Sequence, residues 1–451
     1  MKKQFIAAGL AGILALSLAG CSGNSSNGSS SSGAASPQYS QDQIDQAMQT
    51  PTTLTFWTWV SNVQAEVDLF QAKYPAIKVN VVNPGQGTPL YTKLEAAIQA
   101  GTGVPDVSQI EYQYIPTFRL TNSLLDIKPI LGDITGLYPA WVGNQVAGNG
   151  GIWAVPQDTG PMGMLYRTDL LQQAGISVPT TYDEFATAAT SFHQANPSSY
   201  LVNMPADEAG LWLGMFWQAG AQPFTFDGNQ TVGINLTSDA VKKVIDYWQP
   251  LIASGAVSTD ADWTDQWYAA LNNGTYATML TAAWAPMFLT SAAPDTSGKW
   301  QAAPLPQWDT SNPASGNWGG STDAVLAATK NPIAAAEFAA FINQDTDAAN
   351  IQANQQSLFP SLNSVLNDSS WQNQTPDFYG GQKVNQVFGQ ISQTVNTNFQ
   401  WPPFYDYVVS SFNDTLGKAM TNKGDLEAGL TAWQNAVVTY AQQQGFTVTT
   451  Q

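Results

Sequence analysis

Trp153-Ala154-Val155-Pro156-Gln157-Asp158-Thr159-Gly160-Pro161-Met162-Gly163-Met164-Leu165-Tyr166-Arg167 sets two short apolar runs around a polar middle broken by Gly and Pro. Gly and Pro punctuate strands, so Trp153 to Val155 reads as the end of one strand and Met162 to Tyr166 as the start of another. Two readings of the break follow. As a crossing between two lobes, it makes the chain two-lobed and points Asp158 into a cleft, where a carboxylate suits a ligand site. As a surface turn, it stays inside one domain and Asp158 caps a backbone amide.

Upstream of this stretch the pattern alternates. Leu54-Thr55-Phe56-Trp57-Thr58-Trp59 reads as a strand by its alternation and aromatic content. Val63, Val67, Phe70 and Tyr74 recur at helical spacing until Pro75 stops them. Ile77 to Val82 is a second strand, Leu94, Ala97 and Ile98 mark a helix closed by Gly101, and Pro105 to Ile110 is a third strand. Strand, helix, strand, helix, strand predicts a parallel sheet with crossovers. Ligands in such sheets bind beyond the carboxyl ends of the strands. Those ends carry Trp59, Ser61 and Asn62, and then Glu111 and Tyr112.

Downstream, Thr181 and Glu184 have capping-box spacing ahead of a helix. Trp217 ends the apolar run Trp212, Phe216, Trp217 and joins the candidate site residues. Trp263 and Trp267 fall four apart and read as core, while Asp260, Asp262 and Asp265 read as a helix N-terminus. Tyr276 to Ala283 is a strand ending at Trp284. Trp318-Gly319-Gly320-Ser321-Thr322 is a second Gly-broken crossing, and Asn398 to Phe404 is a Pro-stiffened loop that exposes Trp401. Ala240 to Ile252, Ala334 to Ile342 and Leu426 to Gln444 read as helices.

Composition excludes several functions. Charged residues are 11% of the chain, and 33 acidic groups against 15 basic ones give a formal net charge of −18. Such a chain repels nucleic acid and anionic lipid head groups. Its one Cys, Cys21, precedes the folded body, which removes disulfides, thiolate metal sites and Cys nucleophiles from it. Its one His, His193, sits on an amphipathic stretch, and no Gly-x-Ser-x-Gly elbow is present to meet it. No dinucleotide or phosphate-cradling motif and no metal-spaced cluster occurs, so neither cofactor nor metal is expected.

The N-terminus carries Lys2 and Lys3, an apolar run from Phe5 to Ala19, and Leu18-Ala19-Gly20-Cys21. The run is short for a transmembrane helix and fits an export signal. Small residues before a lone Cys resemble the bacterial lipoprotein processing site. That resemblance implies cleavage before Cys21 and a lipid on its sulfur, leaving 13 basic against 33 acidic groups. Ser22 to Ser36 is nearly all Ser, Gly, Asn and Ala, the composition of a flexible tether. A weak helix is expected between Gln38 and Gln49.

Trp59, Trp284, Trp318 and Trp401 all stand at strand ends or crossings. Trp is mostly core material, but four beside Gly, Pro or polar breaks suggest more. An indole stacks on the apolar face of a sugar ring, while carboxylates such as Asp158 and Glu111 bind its hydroxyl rim.

With these residues in view, the chain resembles the solute-binding lipoproteins of ATP-binding-cassette sugar importers, the class that includes maltose-binding protein. The resemblance runs from about Leu54 to Val448. It rests on Leu54-Thr55-Phe56-Trp57, Gly103-x-Pro105-Asp106-Val107, Ala154-Val155-Pro156 with Leu165-Tyr166-Arg167-x-Asp169-Leu170-Leu171, and Gly319-Gly320-Ser321. It implies an α/β fold of the periplasmic-binding-protein type II, with two lobes, each a mainly parallel sheet flanked by helices, joined by hinge crossings. By position it implies Trp59, Ser61, Glu111 and Tyr112 on the first lobe, Asp158 at one hinge, and Gly319 and Gly320 at another. Trp284 matches a sugar-stacking aromatic and Trp401 falls near a second. Ile110, Gln113 and Trp59 depart from the family at positions where maltose-binding protein carries charged groups.

The expected segments are a signal peptide (1–20), a lipidated Cys21 with its tether (21–51), one lobe (52–157 with about 323–372) and the other (158–322 with about 373–451). The expected function is a non-catalytic, monomeric receptor that delivers a sugar to a membrane permease. It would work on the outer face of the cytoplasmic membrane, held by its lipid alone. A lipid-anchored glycoside hydrolase is the alternative, and it needs two facing carboxyl groups. Only seven Glu are present, and Glu111 with Asp158 is the pair to place in one cleft. An amino-acid or peptide receptor would want an Arg to grip a carboxylate, and Arg119 and Arg167 are the only two.

Overall fold

The computed structural model describes residues 39–356 and 358–450. Cys21, the export signal and the Ser/Gly stretch lie outside the described residues. Nine strands build two main sheets. They are β1 (Thr52–Trp57), β2 (Ile77–Val82), β3 (Val107–Glu111), β4 (Val155–Pro156), β5 (Met162–Arg167), β6 (Tyr200–Val202), β7 (Tyr276–Ala282), β8 (Trp300–Pro304) and β9 (Ser321–Val325). The first sheet has the order β2-β1-β3-β9-β4 and the second β8-β5-β7-β6. The fold is α/β and two-lobed, as expected.

The first sheet forms as its sequence predicts. Leu54 and Phe56 alternate inward on β1 and are fully buried. Helix Gln64–Lys73 ends just before Pro75 and buries Val67 and Phe70, and Phe70 meets Phe338 edge-on with ring centroids 5.0 Å apart. Burying each such ring contributes about 1.5–3 kcal/mol. Helix Thr88–Ala100 ends on Gly101, whose φ of 65° is the left-handed cap that glycine adopts without strain. β1 pairs parallel with both β2 and β3. β9 then arrives from far along the chain and inserts antiparallel beside β3, setting Ser321 opposite Glu111.

The second sheet corrects the expectation of mainly parallel strands. β7 and β8 both run antiparallel to β5, and only β6 with β7 is parallel. β5 leaves the first crossing, whereas β7 and β8 run back toward it. Ala282 pairs with Met162, and Pro304 with Gly163, at the start of β5. Several strand ends therefore converge on the crossing.

Three segments lie side by side there. Trp318 N–H donates to the Gly160 carbonyl at 2.9 Å, and Gly160 N–H donates to Asn317 Oδ1 at 2.9 Å. Thr159 N–H donates to the Phe359 carbonyl at 3.0 Å. After that third strand of chain, Phe359, Leu366 and Trp371 pack into the second sheet's core. A small third sheet (Phe224–Phe226, Thr231–Ile234, Thr447–Thr449) lies beside helix Leu426–Gln443. Helix Gln41–Gln49 carries a full capping box from Ser40 and Gln43. No helix among the described residues is long and apolar enough to cross a membrane.

Candidate functional site

A cavity of about 1170 Å³ opens where the crossings meet. From the first sheet come Trp59, two residues past β1, and Glu111, the last residue of β3. Trp59 is held through its backbone N–H, which donates to Gln109 Oε1 at 3.1 Å, and Thr58 donates to the same oxygen at 2.6 Å. Glu111 accepts from the Tyr91 hydroxyl at 3.0 Å. Asp158 and Trp318 to Gly320 come from the two crossings. Asp158 Oδ1 accepts from Ser321 N–H at 2.8 Å. Asp158 thus caps a backbone amide and lines the cavity at once, but the stretch is a buried crossing from one sheet to the other and not a surface turn inside one domain.

An aromatic wall closes the second-sheet side. Trp284 follows β7 and starts helix Ala285–Ala292, and its indole N–H donates to the Trp318 carbonyl at 2.9 Å. The two rings stand 5.0 Å apart and nearly perpendicular, and Trp263 lies 6.0 Å from Trp284. Trp263 has φ 63°, a strained value for a bulky residue. Strain of this kind persists at functional sites when surrounding contacts hold it. Here the Trp263 indole N–H donates to Glu208 Oε2 at 3.2 Å. Gly320 has φ 92°, and a Cβ there would fall 2.8 Å from the Asp158 carbonyl oxygen, so only glycine lets the second crossing lie against the first.

Four carboxylates face this cavity, Glu111, Asp158, Glu208 and Asp406, and no Lys, Arg or His lines it among the described residues. Burial pushes the Asp158 carboxyl up to about 7, against the Ser321 amide and with help from the Glu111 charge. Burial likewise pushes Glu208 up to about 7, against the Trp263 and Gly210 N–H groups. It raises Glu111 as well, opposed by the Tyr91 hydroxyl. Asp406 accepts from the Tyr114 hydroxyl at 2.5 Å.

These shifts carry a stability prediction. Outside the cavity, burial also raises Glu66 and Asp323 to about 7 and Asp262 to about 8. Unfolded carboxyl groups titrate near 4, so between about pH 4 and about pH 7 the folded chain binds more protons than the unfolded one. Stability therefore falls as pH rises through that window. The calorimetric Tm is expected to be higher at pH 5 than at pH 8, by about 5 °C or more. A Tm that rises from pH 5 to pH 8 would rule out burial as the dominant influence on these groups.

Of the residues expected from sequence, Trp59, Glu111, Asp158, Trp284, Trp318, Gly319, Gly320 and Trp401 line the cavity. Ser61 and Asn62 do not, and stand exposed on the turn before helix Gln64–Lys73. Tyr112 is 1% exposed and lies behind Gly320. Trp217 is fully buried, stacked on Phe399 at 4.3 Å and donating to the Asn396 carbonyl. The loop from Asn398 to Phe404 does not expose its aromatics, because Phe399, Trp401 and Phe404 pack against one another's neighbours and are buried. The opposite error occurred at Trp263, which reads as core and is 41% exposed in the cavity, while Trp267 is core. Glu208, Phe288, Tyr405 and Asp406 line the cavity too and carry no local signal in the sequence. Asp265 does begin a helix, capped by Thr264.

Comparison with known proteins follows the same outline. The family described as "Bacterial extracellular solute-binding protein" matches residues 57–349. The lactose-binding protein of Rhizobium radiobacter is 26% identical over 352 residues, 74% of this chain and 81% of that protein. An ABC transporter associated binding protein from B. animalis subsp. lactis Bl-04, solved with β-1,6-galactobiose, is 32% identical. Its TM-score is 0.74, over 88% of this chain and 99% of that one. The galacto-N-biose/lacto-N-biose I-binding protein of Bifidobacterium longum, solved with lacto-N-biose, is 26% identical. Its TM-score is 0.75, over 88% of this chain and 98% of that one.

Proposed function

The chain belongs to the bacterial extracellular solute-binding protein family, and from that premise we propose that it is a sugar receptor of an ABC importer, working outside the cytoplasm. One observation carries the reading, an aromatic wall and four carboxyl groups lining one cavity. Indole faces take the C–H side of a sugar ring, and carboxylates accept from its hydroxyls through strong charge-assisted hydrogen bonds. The relatives named for lactose, galactobiose and lacto-N-biose support the ligand class.

In this reading Trp59, Glu111, Asp158, Trp284, Trp318, Gly319, Gly320 and Trp401 contact the sugar directly. The protein is a monomer, binds without turnover and hands its ligand to the permease subunits. One lobe comprises 52–157 with about 323–372, and the other 158–322 with about 373–451. The crossings act as hinges, a few residues absorbing the backbone change.

The test is a titration of intrinsic Trp fluorescence with β-1,6-galactobiose, lacto-N-biose, lactose and arabinooligosaccharides. At least one should bind saturably, without release of reducing ends, and scattering should show a smaller radius of gyration when it is bound. Silence across the panel would sink the receptor reading. Sustained release of reducing ends, lost in Glu111→Gln or Asp158→Asn, would favour a hydrolase. An unchanged radius at saturation would remove the hinges.

Anchoring belongs to the same proposal. Leu18-Ala19-Gly20-Cys21 and the Ser/Gly stretch after it support a lipidated Cys21, a palmitate-type anchor on the outer face of the cytoplasmic membrane. Cys21→Ser is expected to move the protein from the membrane fraction to the soluble fraction. Unchanged membrane retention would show that Cys21 is not the anchor.

A further inference from the structure

Helix Ala140–Val146 packs on β4 of the first sheet, and Trp153 N–H donates to its Val146 carbonyl at 3.0 Å. It carries Trp141, Asn144 and Gln145 at i, i+3 and i+4, which share one helix face. All three donate side-chain N–H groups to backbone carbonyls of one distant segment. The Trp141 indole donates to Ser392 at 3.0 Å, the Asn144 amide to Thr397 at 3.0 Å and the Gln145 amide to Phe399 at 2.8 Å. That segment runs irregularly between helices Val384–Ser392 and Tyr405–Phe412, the first of which is fixed in the second sheet's core by Phe388 and Ile391. An irregular segment has no ladder to occupy its carbonyls, and a buried carbonyl without a donor is costly. Its path is therefore set by donors from elsewhere, and three of them come from the first-sheet side. The clamped Phe399 is two residues from Trp401. Its ring is stacked on Trp217 at 4.3 Å. Trp401 meets Phe399 at 4.8 Å and Tyr405 at 5.4 Å, both edge-on, and Trp401 and Tyr405 line the cavity. Gln145 is half-buried and stands outside the cavity lining.

We propose that helix Ala140–Val146 is a clamp that positions the Trp401 side of the cavity wall, with Gln145 the positioning residue that sets glycan affinity without touching the glycan. The inference rests on the receptor reading and adds a residue to it. Of the three donors, Gln145 holds the carbonyl nearest Trp401, so losing its N–H frees the stretch from Phe399 to Trp401 first. Trp141 is a poorer probe of the same idea. It is 2% exposed and meets Trp217 edge-on at 6.0 Å, so removing it disrupts packing as well as one bond. Gln145 offers the bond with less of the packing.

Gln145→Met keeps the side chain's length and removes its N–H. The variant and the parent protein are titrated calorimetrically with β-1,6-galactobiose, lacto-N-biose, lactose and arabinooligosaccharides. The sugar that the parent binds tightest is expected to bind the variant about fivefold more weakly or worse, at a Tm within about 2 °C of the parent's. Most of that loss should disappear in a Trp401→Leu background and persist in a Trp59→Phe background, the pattern of a residue acting through Trp401. Normal affinity in Gln145→Met overturns the inference, whether or not its Tm falls. So does a loss of equal size in both backgrounds, because Gln145 then acts by another route. Hydrogen exchange of the unliganded protein gives a reading that needs no sugar. Amides from Thr397 to Trp401 should exchange faster in Gln145→Met than in the parent, and unchanged exchange there overturns the clamp. If none of the sugars binds the parent protein, the receptor reading falls and exchange alone decides the clamp.

Discussion

Trp284→Ala is expected to weaken glycan binding at least about tenfold and to cost little stability. The residue follows β7 at the point where that strand returns to the crossing, and it is half-buried on the cavity wall. Losing the apolar face of a large side chain costs about 1.5–3 kcal/mol, and each 1.4 kcal/mol or so is tenfold in affinity. Trp284→Phe keeps a ring and should weaken binding less. It also removes the indole N–H that donates to the Trp318 carbonyl at 2.9 Å, a bond contributing about 1 kcal/mol. Both variants should therefore share a small loss of stability, while only Trp284→Ala loses most of its affinity. Calorimetric titration and denaturant melts separate the two quantities. A drop of about 3–5 kcal/mol in stability with near-normal affinity is the core-residue pattern, and would take Trp284 out of the site.

Gly160→Ala is expected to produce the largest loss of stability among single methyl additions to this protein's crossings. A Cβ at Gly160 would sit 2.0 Å from the Trp318 carbonyl oxygen and 3.1 Å from Trp284 Cδ1. The first neighbour is backbone, so it cannot swing aside as a side chain tip would. Relief requires the two crossings to separate, which breaks the Trp318 N–H to Gly160 carbonyl bond and moves Trp284 with it. Overpacking costs about 1–3 kcal/mol and sometimes more, and a backbone collision belongs at the upper end. Gly136→Ala is the control, because nothing lies within 4 Å of its added Cβ. Denaturant midpoints should show a large shift for Gly160→Ala and almost none for Gly136→Ala. Equal midpoints would mean the crossings are not in contact at Gly160. Where Gly160→Ala remains folded, its sugar affinity should fall as well, because Trp284 and Trp318 are displaced from the cavity wall.

Local pattern by itself determined a good deal of this protein. The alternation in Leu54 to Trp59, the helical recurrence of Val67 and Phe70, and the stop at Pro75 are short-range signals, and the chain obeys them. The Gly-broken crossings at Gly160 and at Gly319-Gly320 were legible because Gly and Pro report backbone conformation directly. Asp158 could be placed at the cleft because it stands inside one of those breaks. Tertiary structure decided the rest. β5 has antiparallel neighbours because β7 and β8 return toward the crossing, and no property of Met162 to Arg167 records which way its neighbours run. Trp217 and Trp263 are the same residue type, one inside a helix and one on the turn just before another, yet the first is sealed beneath Phe399 and the second lines the cavity. What separates them is packing by segments more than a hundred residues away, which no local spacing encodes. Glu208 and Asp406 likewise meet Glu111 and Asp158 only after distant segments converge on one cavity. Composition determined that few cations were available, and the three-dimensional fold decided that none would line this cavity among the described residues.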